Sequence, residues 1–427
     1  MVTDPLRVAF FLPTFPELSN TFILNQIRGL LDRGHEVDLF AMSTKPFDEP
    51  HDIVDRYALQ DRMRHVVVPK NRVERLASTV RWLTTRHGLH RASIDALNPI
   101  THGREAFRLV GFHTAVSFVR SRAYDVVHAQ FGDLGPRLAR LRRFGAIDAP
   151  LVTSFRGADL TMNASADPGS FSELFATGDL FLPVSAEFGR RLIAMGVPEQ
   201  RVHVLRSGID IEQFTFTPRR RRDSRTKLLC VGRLTEKKGF EFALDALAML
   251  RSAGRDVDLV VVGAGALAET LHSRATALKI SDRVTFLGSR PHSEVVEAMY
   301  AAHILVAPSV TASNGDQEGI PNVLKEAMAT GMPVVSTMHS GIPELVEHGV
   351  SGLLAPERDP STLKAHLETL IDHPRRWSAM GEAGRRRVAH EYDMEPLNDD
   401  LVDRYRASVV AYRARTTDVA ARHRSHR

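Results

Sequence analysis

Apolar residues arrive in short runs between polar loops, and the period of each run predicts the element it forms. Leu6 to Pro13 is a nearly continuous apolar run of strand length. A polar loop, Thr14 to Asn20, follows, and Thr21 to Arg33 repeats its apolar positions at helical spacing up to Gly34. His35 to Met42 reads as a second strand. This β-loop-α-β order is the repeating element of doubly wound α/β sheets. Strands recur at Asp125 to Ala129, Pro150 to Phe155, Leu180 to Val184 and Val202 to Leu205.

A polar, basic stretch, Thr217 to Ser224, then interrupts the pattern and reads as a linker. A second alternation starts at Lys227 to Val231 and continues with strands at Asp258 to Val262, Arg283 to Leu287, Ile304 to Ala307 and Pro333 to Thr337. Helices are expected at Gly239 to Ser252, Leu267 to Leu278, Ser293 to Ala302 and Pro321 to Thr330. From Trp377 onward the chain is helical and Arg-rich, and its tail from Arg413 reads as frayed. The domains expected are residues 1–216, residues 217–385 and a helical segment 386–427 that packs back toward the first. Two tandem parallel sheets place ligands at the carboxyl ends of their strands, so the site is expected in a cleft between the domains.

Length supports this division, since 427 residues exceed what one core organises. The lone Cys230 sits in an apolar run, can form no internal disulfide, and reads as a buried, inert thiol in a reducing compartment. No signal-peptide pattern and no run of roughly 18 apolar residues is visible, so a cytoplasmic protein is expected. The net charge of +5 is mild but uneven. Between Asp61 and Arg122 stand twelve Lys/Arg against four Asp/Glu, a local excess of +8. Such a patch fits anionic lipid or a solvated face; no nucleic-acid motif accompanies it, so no nucleic acid is expected. Arg72, Arg75, Arg81 and Arg86 share one segment with Val73, Leu76, Val80, Trp82 and Leu83, which suits a peripheral helix on an anionic membrane.

The most specific chemistry lies in Asp316 to Thr337. Glu318 and Glu326 are separated by seven residues, one before a helix and one within it, with Pro321 at its start and Gly331 past its end. The helix N-terminus after Gly319 is a natural site for a diphosphate. In Gly232-Arg233-Leu234-Thr235-Glu236-Lys237-Lys238-Gly239, Arg233 and Lys238 flank a glycine-closed loop, and both can reach one phosphate group without a metal.

These motifs, with Val262-Gly263-Ala264-Gly265, Val284 to Gly288, and Ser340 to Val346 with Gly349 and Gly352, resemble the retaining GT-B glycosyltransferases of family 4 over nearly the whole chain. Asn314-Gly315-Asp316-x-Glu318-Gly319-Ile320-Pro321 and Phe15-Pro16-x-x-Ser19-x-Thr21-Phe22-Ile23 are most similar to members that build exopolysaccharide and colanic-acid-type repeats. The resemblance implies two Rossmann-like doubly wound domains facing a central cleft. It also implies a metal-independent hexosyltransferase acting with retention, whose donor is a nucleotide-sugar, with UDP the expected nucleotide, and whose acceptor is a glycan or lipid-linked oligosaccharide. No cofactor is implied, because the nucleotide-sugar is a substrate, and the inner face of the cytoplasmic membrane is the implied place of work.

By the same resemblance, Arg233 and Lys238 hold the donor diphosphate, Glu318 contacts the donor sugar and Glu326 the ribose. Gly232, Gly263, the Gly288-Ser289-Arg290 turn and the segment Gly319, Ile320, Pro321, Asn322 and Val323 complete the donor side. Ser19, Asn20, Thr21, His128, Gln130 and Asp159 fall on the acceptor side, and Arg156 joins the catalytic set. Relatives often carry histidines where this chain has Gln130 and Arg156, and a Glu where it has Asn20; Arg156 could contact the diphosphate or pair with Asp159. Two rivals are a nicotinamide oxidoreductase, since Gly263 to Ala268 matches G-x-G-x-x-A with Asp282 near the acidic position, and a nucleotide-sugar epimerase on the same fold. No metal-ligand spacing is seen among the 19 histidines.

Overall fold

The computed structural model describes residues 4–15, 21–44, 52–66, 68–87, 89–121, 123–162, 169–221 and 225–425. It divides into two compact units: Met1–Pro183 with Gly189–Leu205 and Asn398–Arg427, and Val184–Phe188 with Arg206–Leu397.

The first unit is built on a six-stranded sheet of strands β1 (Arg7–Phe15), β2 (Glu36–Thr44), β3 (Met63–His65), β4 (Val126–Ala129), β5 (Leu151–Phe155) and β6 (Leu180–Pro183). All pairs are parallel, in the order β3-β2-β1-β4-β5-β6. A parallel sheet is covered on both faces, which is why β4 and β5 are buried at every position, even at the polar His128, Thr153 and Ser154. Helix Thr21–Asp32 buries Ile23, Leu24, Ile27 and Leu30. Gly34, at φ +78°, closes it: the Gly34 and His35 amides donate to the Leu31 and Leu30 carbonyls.

The second unit repeats the plan with β7 (Thr226–Val231), β8 (Val257–Val262), β9 (Val284–Gly288), β10 (Ile304–Ala307), β11 (Val334–Thr337) and β12 (Leu353–Ala355), all parallel, in the order β12-β11-β10-β7-β8-β9. One side of its core joins Leu228, Cys230, Leu247, Val261, Leu367 and Trp377, whose indole N–H donates to the Leu370 carbonyl. Burial holds the Cys230 thiol far above its usual pKa, so it stays an inert packing group.

Three sequence expectations differ from the structure, and two short strands had not been expected. Val202 to Leu205 makes one bridge, Phe181 to Val202, rather than a strand. The short strands β3 and β12, three residues each, carry too few positions to show a period. In the stretch expected to be a linker, Arg219 is buried and donates to the carbonyls of Thr217, Thr330 and Met299, so this segment is anchored to the second unit; residues 222–224 lie outside the described residues. The tail expected to fray continues helix Met394–Ser425, which passes into the first unit at Asn398 and buries Leu401 and Tyr405 there. Among the described residues, no helix is long and apolar enough to cross a membrane.

Candidate functional site

In the second unit the motif residues gather on loops at the carboxyl ends of β7, β8, β9 and β10. After β7 the chain turns at Gly232, whose Cα faces the Lys238 stem: a Cβ there would lie 3.3 Å from Lys238 Cε. Gly263, after β8, has φ +146°, and a Cβ on it would stand 1.9 Å from the Gly232 carbonyl oxygen. Gly239, at φ +63°, comes as close to the backbone after β10, with its missing Cβ 2.0 Å from the Pro308 carbonyl oxygen. Only glycine lets these loops pack so closely.

Glu318 sits between two lysines, with Lys238 Nζ 3.2 Å from one carboxylate oxygen and Lys237 Nζ 3.4 Å from the other. Lys237 also bonds Asp316 at 3.0 Å. Burial alone would raise the Glu318 carboxyl; Lys238 and then Lys237 outweigh it and draw the pKa down to about 2. The backbone N–H of Glu318 donates to His339 Nε2 at 3.1 Å, so the other ring nitrogen must carry the proton. That Nδ1–H donates to Glu357 at 2.6 Å, and Glu357 in turn accepts the Thr311 amide. The fully buried His339 ring therefore fixes the loop that presents Glu318.

Arg233 is exposed, and its guanidinium has no partner among the described residues, so it is free to meet an anion. Glu326 lies in helix Asn322–Ala329, which starts one residue after Pro321 and ends before Gly331 at φ +83°. Its carboxylate is 3.7 Å from His292 and raises that imidazole's pKa. Ser289 is exposed, while Arg290 bonds the Leu287 carbonyl and Glu294. Gly319 and Pro321 are buried, and Ile320, Asn322 and Val323 are partly exposed.

In the first unit, loops after β4 and β5 meet in a buried polar cluster. Arg156 donates to the side-chain oxygen of Gln130 at 2.7 Å and to that of Gln26 at 3.1 Å, and it lies over the Phe22 ring. Because an arginine can only donate, the Gln130 amide must turn its NH₂ toward His128 Nδ1, 3.1 Å away. Nδ1 is thus an acceptor, also for the Tyr405 hydroxyl at 2.6 Å, and Nε2–H donates to Ser154 at 2.8 Å. Burial, with Arg156 nearby, holds His128 well below its ordinary pKa, so the ring is neutral. Burial also brings Arg156 down to about 10, which leaves it charged at neutral pH.

The Arg156 guanidinium bonds glutamines and is also favoured by the charge of Asp159, whose carboxylate accepts the backbone amides of Gly132, Arg156 and Gly157 at 2.8, 3.0 and 2.7 Å. Asp159 thereby ties the two loops together. Thr21 opens its helix and is partly exposed; Ser19 and Asn20 lie outside the described residues.

Sequence reasoning missed Lys237, His339, His292 and Tyr405. A pair of adjacent lysines before Gly239 was the available signal for Lys237. His339, His292 and Tyr405 act by distant contacts that no local pattern announces. Among the described residues, no group of three His, Cys, Asp or Glu side chains could hold a metal ion. Asp282, the acid an oxidoreductase reading would need, precedes β9 and bonds Arg251 at 2.6 Å.

Two parallel-sheet units with polar and charged loops at the carboxyl ends of their strands define a doubly wound α/β class that binds its ligands at those ends. Residues 19–213 match the family described as Glycosyltransferase Family 4, and residues 212–387 match Glycosyl transferases group 1. The chain is 36% identical to the protein named as a colanic acid biosynthesis glycosyltransferase, WcaL, of Salmonella typhimurium, over 93% of this chain and 98% of that one. It is 34% identical to the amylovoran biosynthesis glycosyltransferase AmsK of Erwinia amylovora, over 85% and 90% of the two chains. Among solved structures, the Anabaena protein HepE in complex with UDP superposes with a TM-score of 0.70 at 18% identity, over 94% of this chain and all of that one. Sucrose-phosphate synthase of Thermosynechococcus elongatus gives 0.67 at 18% identity, over 95% and 100%. The chain belongs to the GT-B glycosyltransferases of family 4, which sets the oxidoreductase and epimerase readings aside.

Proposed function

We propose that this glycosyltransferase moves a hexose from a UDP-linked donor to a glycan or lipid-linked oligosaccharide, with retention and without a metal, in the synthesis of a cell-surface polysaccharide. The observation that carries the reading is the convergence of Lys238, Lys237 and Glu318 after β7 and β10, with Arg233, which has no partner among the described residues, on the same loop as the lysines. Preorganised cations at this point supply what a departing diphosphate needs. The polysaccharide role draws support from the names of WcaL and AmsK, and the nucleotide from the UDP and UDP-glucose complexes of HepE.

In this mechanism Lys238 and Arg233 neutralise the leaving diphosphate, Glu318 accepts hydrogen bonds from donor-sugar hydroxyls, and Glu326 accepts them from the ribose. Gly232, Gly263, Ser289, Arg290, and Gly319 to Val323 line the donor, and the first unit's Thr21, Gln130 and Arg156 serve the acceptor side. The bond from the anomeric carbon to the diphosphate oxygen breaks while the acceptor oxygen bonds the same face. The acceptor proton passes to the diphosphate oxygen. Asp133 and Asp159 are the carboxylates nearest the variable positions Gln130 and Arg156 in sequence, and Asp159 is spent on three backbone amides, which disfavours it as a covalent nucleophile. An acceptor held in a bilayer would put the reaction at the cytoplasmic face of the membrane.

Incubation with UDP-glucose and a lipid-linked oligosaccharide, with EDTA present, should give an α-linked product by NMR and no glycosyl-protein adduct by mass spectrometry. A β-linked product, an adduct on Asp133 or Asp159, or activity that returns only with magnesium or manganese would contradict the mechanism.

A further inference from the structure

A cavity of about 290 Å³ in the first unit lies apart from the residues assigned above. Its lining includes Arg108, Arg137, Arg140, Arg143 and His102 and no carboxylate. Along helix Gly135–Arg143, positions 137, 140, 141 and 144 recur at i, i+3, i+4 and i+7, which brings Arg137 and Arg140 onto one face with Leu141 and Phe144. Arg143 is held by His102 at 3.1 Å and by Glu173 at 3.3 Å. Arg137 gives an N–H to the Met42 sulfur, a weak acceptor. The Arg140 guanidinium has no hydrogen-bond or ion-pair partner among the described residues. His102 is paired with Asp95 at 3.0 Å and Arg143 with Glu173, so the open cations of the cavity are Arg137 and Arg140, which face no carboxylate on its lining and are stabilised by an anion.

The surface beside the cavity is unusually apolar. Of the twelve large hydrophobic residues exposed in the described structure, seven fall between Val73 and Phe107. Ile100 is 95% exposed and Phe107 76% exposed, and they lie on helices Pro99–His102 and Arg104–Arg108, which also supply His102 and Arg108 to the cavity. In helix Arg72–Leu83, Val73, Leu76 and Val80 are exposed at i, i+3 and i+7 and so form a stripe. That helix is tied to the same group by Arg75, which donates to the Arg108 carbonyl at 2.7 Å. A soluble polyanion would gain nothing from these side chains, whereas a bilayer would bury them.

We propose that the arginine cavity seats the phosphate headgroup of an anionic membrane lipid, with Ile100 and Phe107 entering the interfacial layer next to it. Guanidinium groups pair with phosphate oxygens in a fork, and several arginines together suit a lipid phosphate better than a single carboxylate. This assignment does not depend on sugar transfer, and its test reads binding alone.

The full chain should co-sediment with vesicles of phosphatidylglycerol in phosphatidylcholine. Arg140→Glu should lower that partition about tenfold, since each basic side chain near an anionic surface is worth about a factor of five. Arg140→Gln should lose less, and Ile100→Asp with Phe107→Asp should lose binding as well. Arg386→Glu, at an exposed arginine of the second unit, removes the same charge and should stay within about twofold of the parent. Circular dichroism melting of Arg140→Glu should match the parent, because Arg140 holds nothing in place. Equal losses in Arg140→Glu and Arg386→Glu, or equal binding to pure phosphatidylcholine, would overturn the proposal. So would a protein that ignores vesicles but is stabilised by inorganic phosphate unless Arg140 is changed, for then the anion is a soluble one.

Discussion

At the strand ends of the second unit, Glu318 lies between two lysines and stays ionised. At those of the first unit, His128 lies among Gln130, Ser154 and Tyr405 and stays neutral. One sheet plan thus carries two kinds of polar site. In the second unit the charges stand on loops, paired with each other and with Arg233 left open, which is the arrangement the proposed diphosphate site needs. In the first, both ring nitrogens of His128 and the side-chain oxygen of Gln130 are committed inside the fold, and the cluster shapes its loops rather than exchanging protons. The proposed function accordingly assigns catalytic electrostatics to the second unit and acceptor shape to the first.

The largest effect that separates them is expected from Lys238→Ala. Loss of one preorganised cation should lower kcat/KM by about 3 kcal/mol or more, a hundredfold or greater, in a coupled assay of UDP release. Tyr405→Phe should leave kcat/KM within about threefold of the parent, and similar losses in the two variants would erase the contrast.

Acid titration sharpens the same comparison. The Glu318 carboxyl is depressed in the fold, so its contribution to stability is complete above the ordinary pKa of 4.5 and is lost as pH falls toward about 2. Urea unfolding at pH 5 and pH 3 should show the parent losing about 2 kcal/mol more than Glu318→Gln. An equal loss in both would mean that the lysines do not hold the carboxylate.

Tyr405→Phe removes a buried hydroxyl from His128 Nδ1 but leaves the Gln130 N–H in place. Its expected cost is about 1 kcal/mol of stability by chemical denaturation. The smallest effect concerns His292, whose pKa is raised by Glu326. Stability from this pair is full below 6.5 and is lost as pH rises through the raised value. Because the imidazole is about half exposed, the advantage of the parent over His292→Gln should shrink by only a few tenths of a kcal/mol between pH 6 and pH 8.

Most of the fold was legible because parallel strands buried on both faces leave continuous apolar runs, as at Leu228–Val231 and Ile304–Ala307. Glycines marked the loops for a similar reason: Gly239 and Gly263 permit approaches that a Cβ would block. What stayed hidden depends on distance along the chain. Tyr405 reaches His128 across 277 positions, and His339 reaches Glu318 across 21. Arg219 looked like part of a solvated linker because its run of arginines is polar, yet its guanidinium satisfies carbonyls of Thr330 and Met299. The residues at Gln130 and Arg156 were visible as departures, but their meaning came only with their mutual hydrogen bond.

The central claim is that Glu326 serves the nucleotide and Glu318 the sugar, with cations of the protein in place of a metal. Calorimetry with UDP in the presence of EDTA, on the parent, Glu326→Ala and Glu318→Ala, tests it most directly. The account predicts binding by the parent, a loss of about tenfold or more in Glu326→Ala, and an affinity within about threefold of the parent in Glu318→Ala, whose turnover falls instead. Equal losses in the two variants, or no binding until a divalent metal is added, would contradict it.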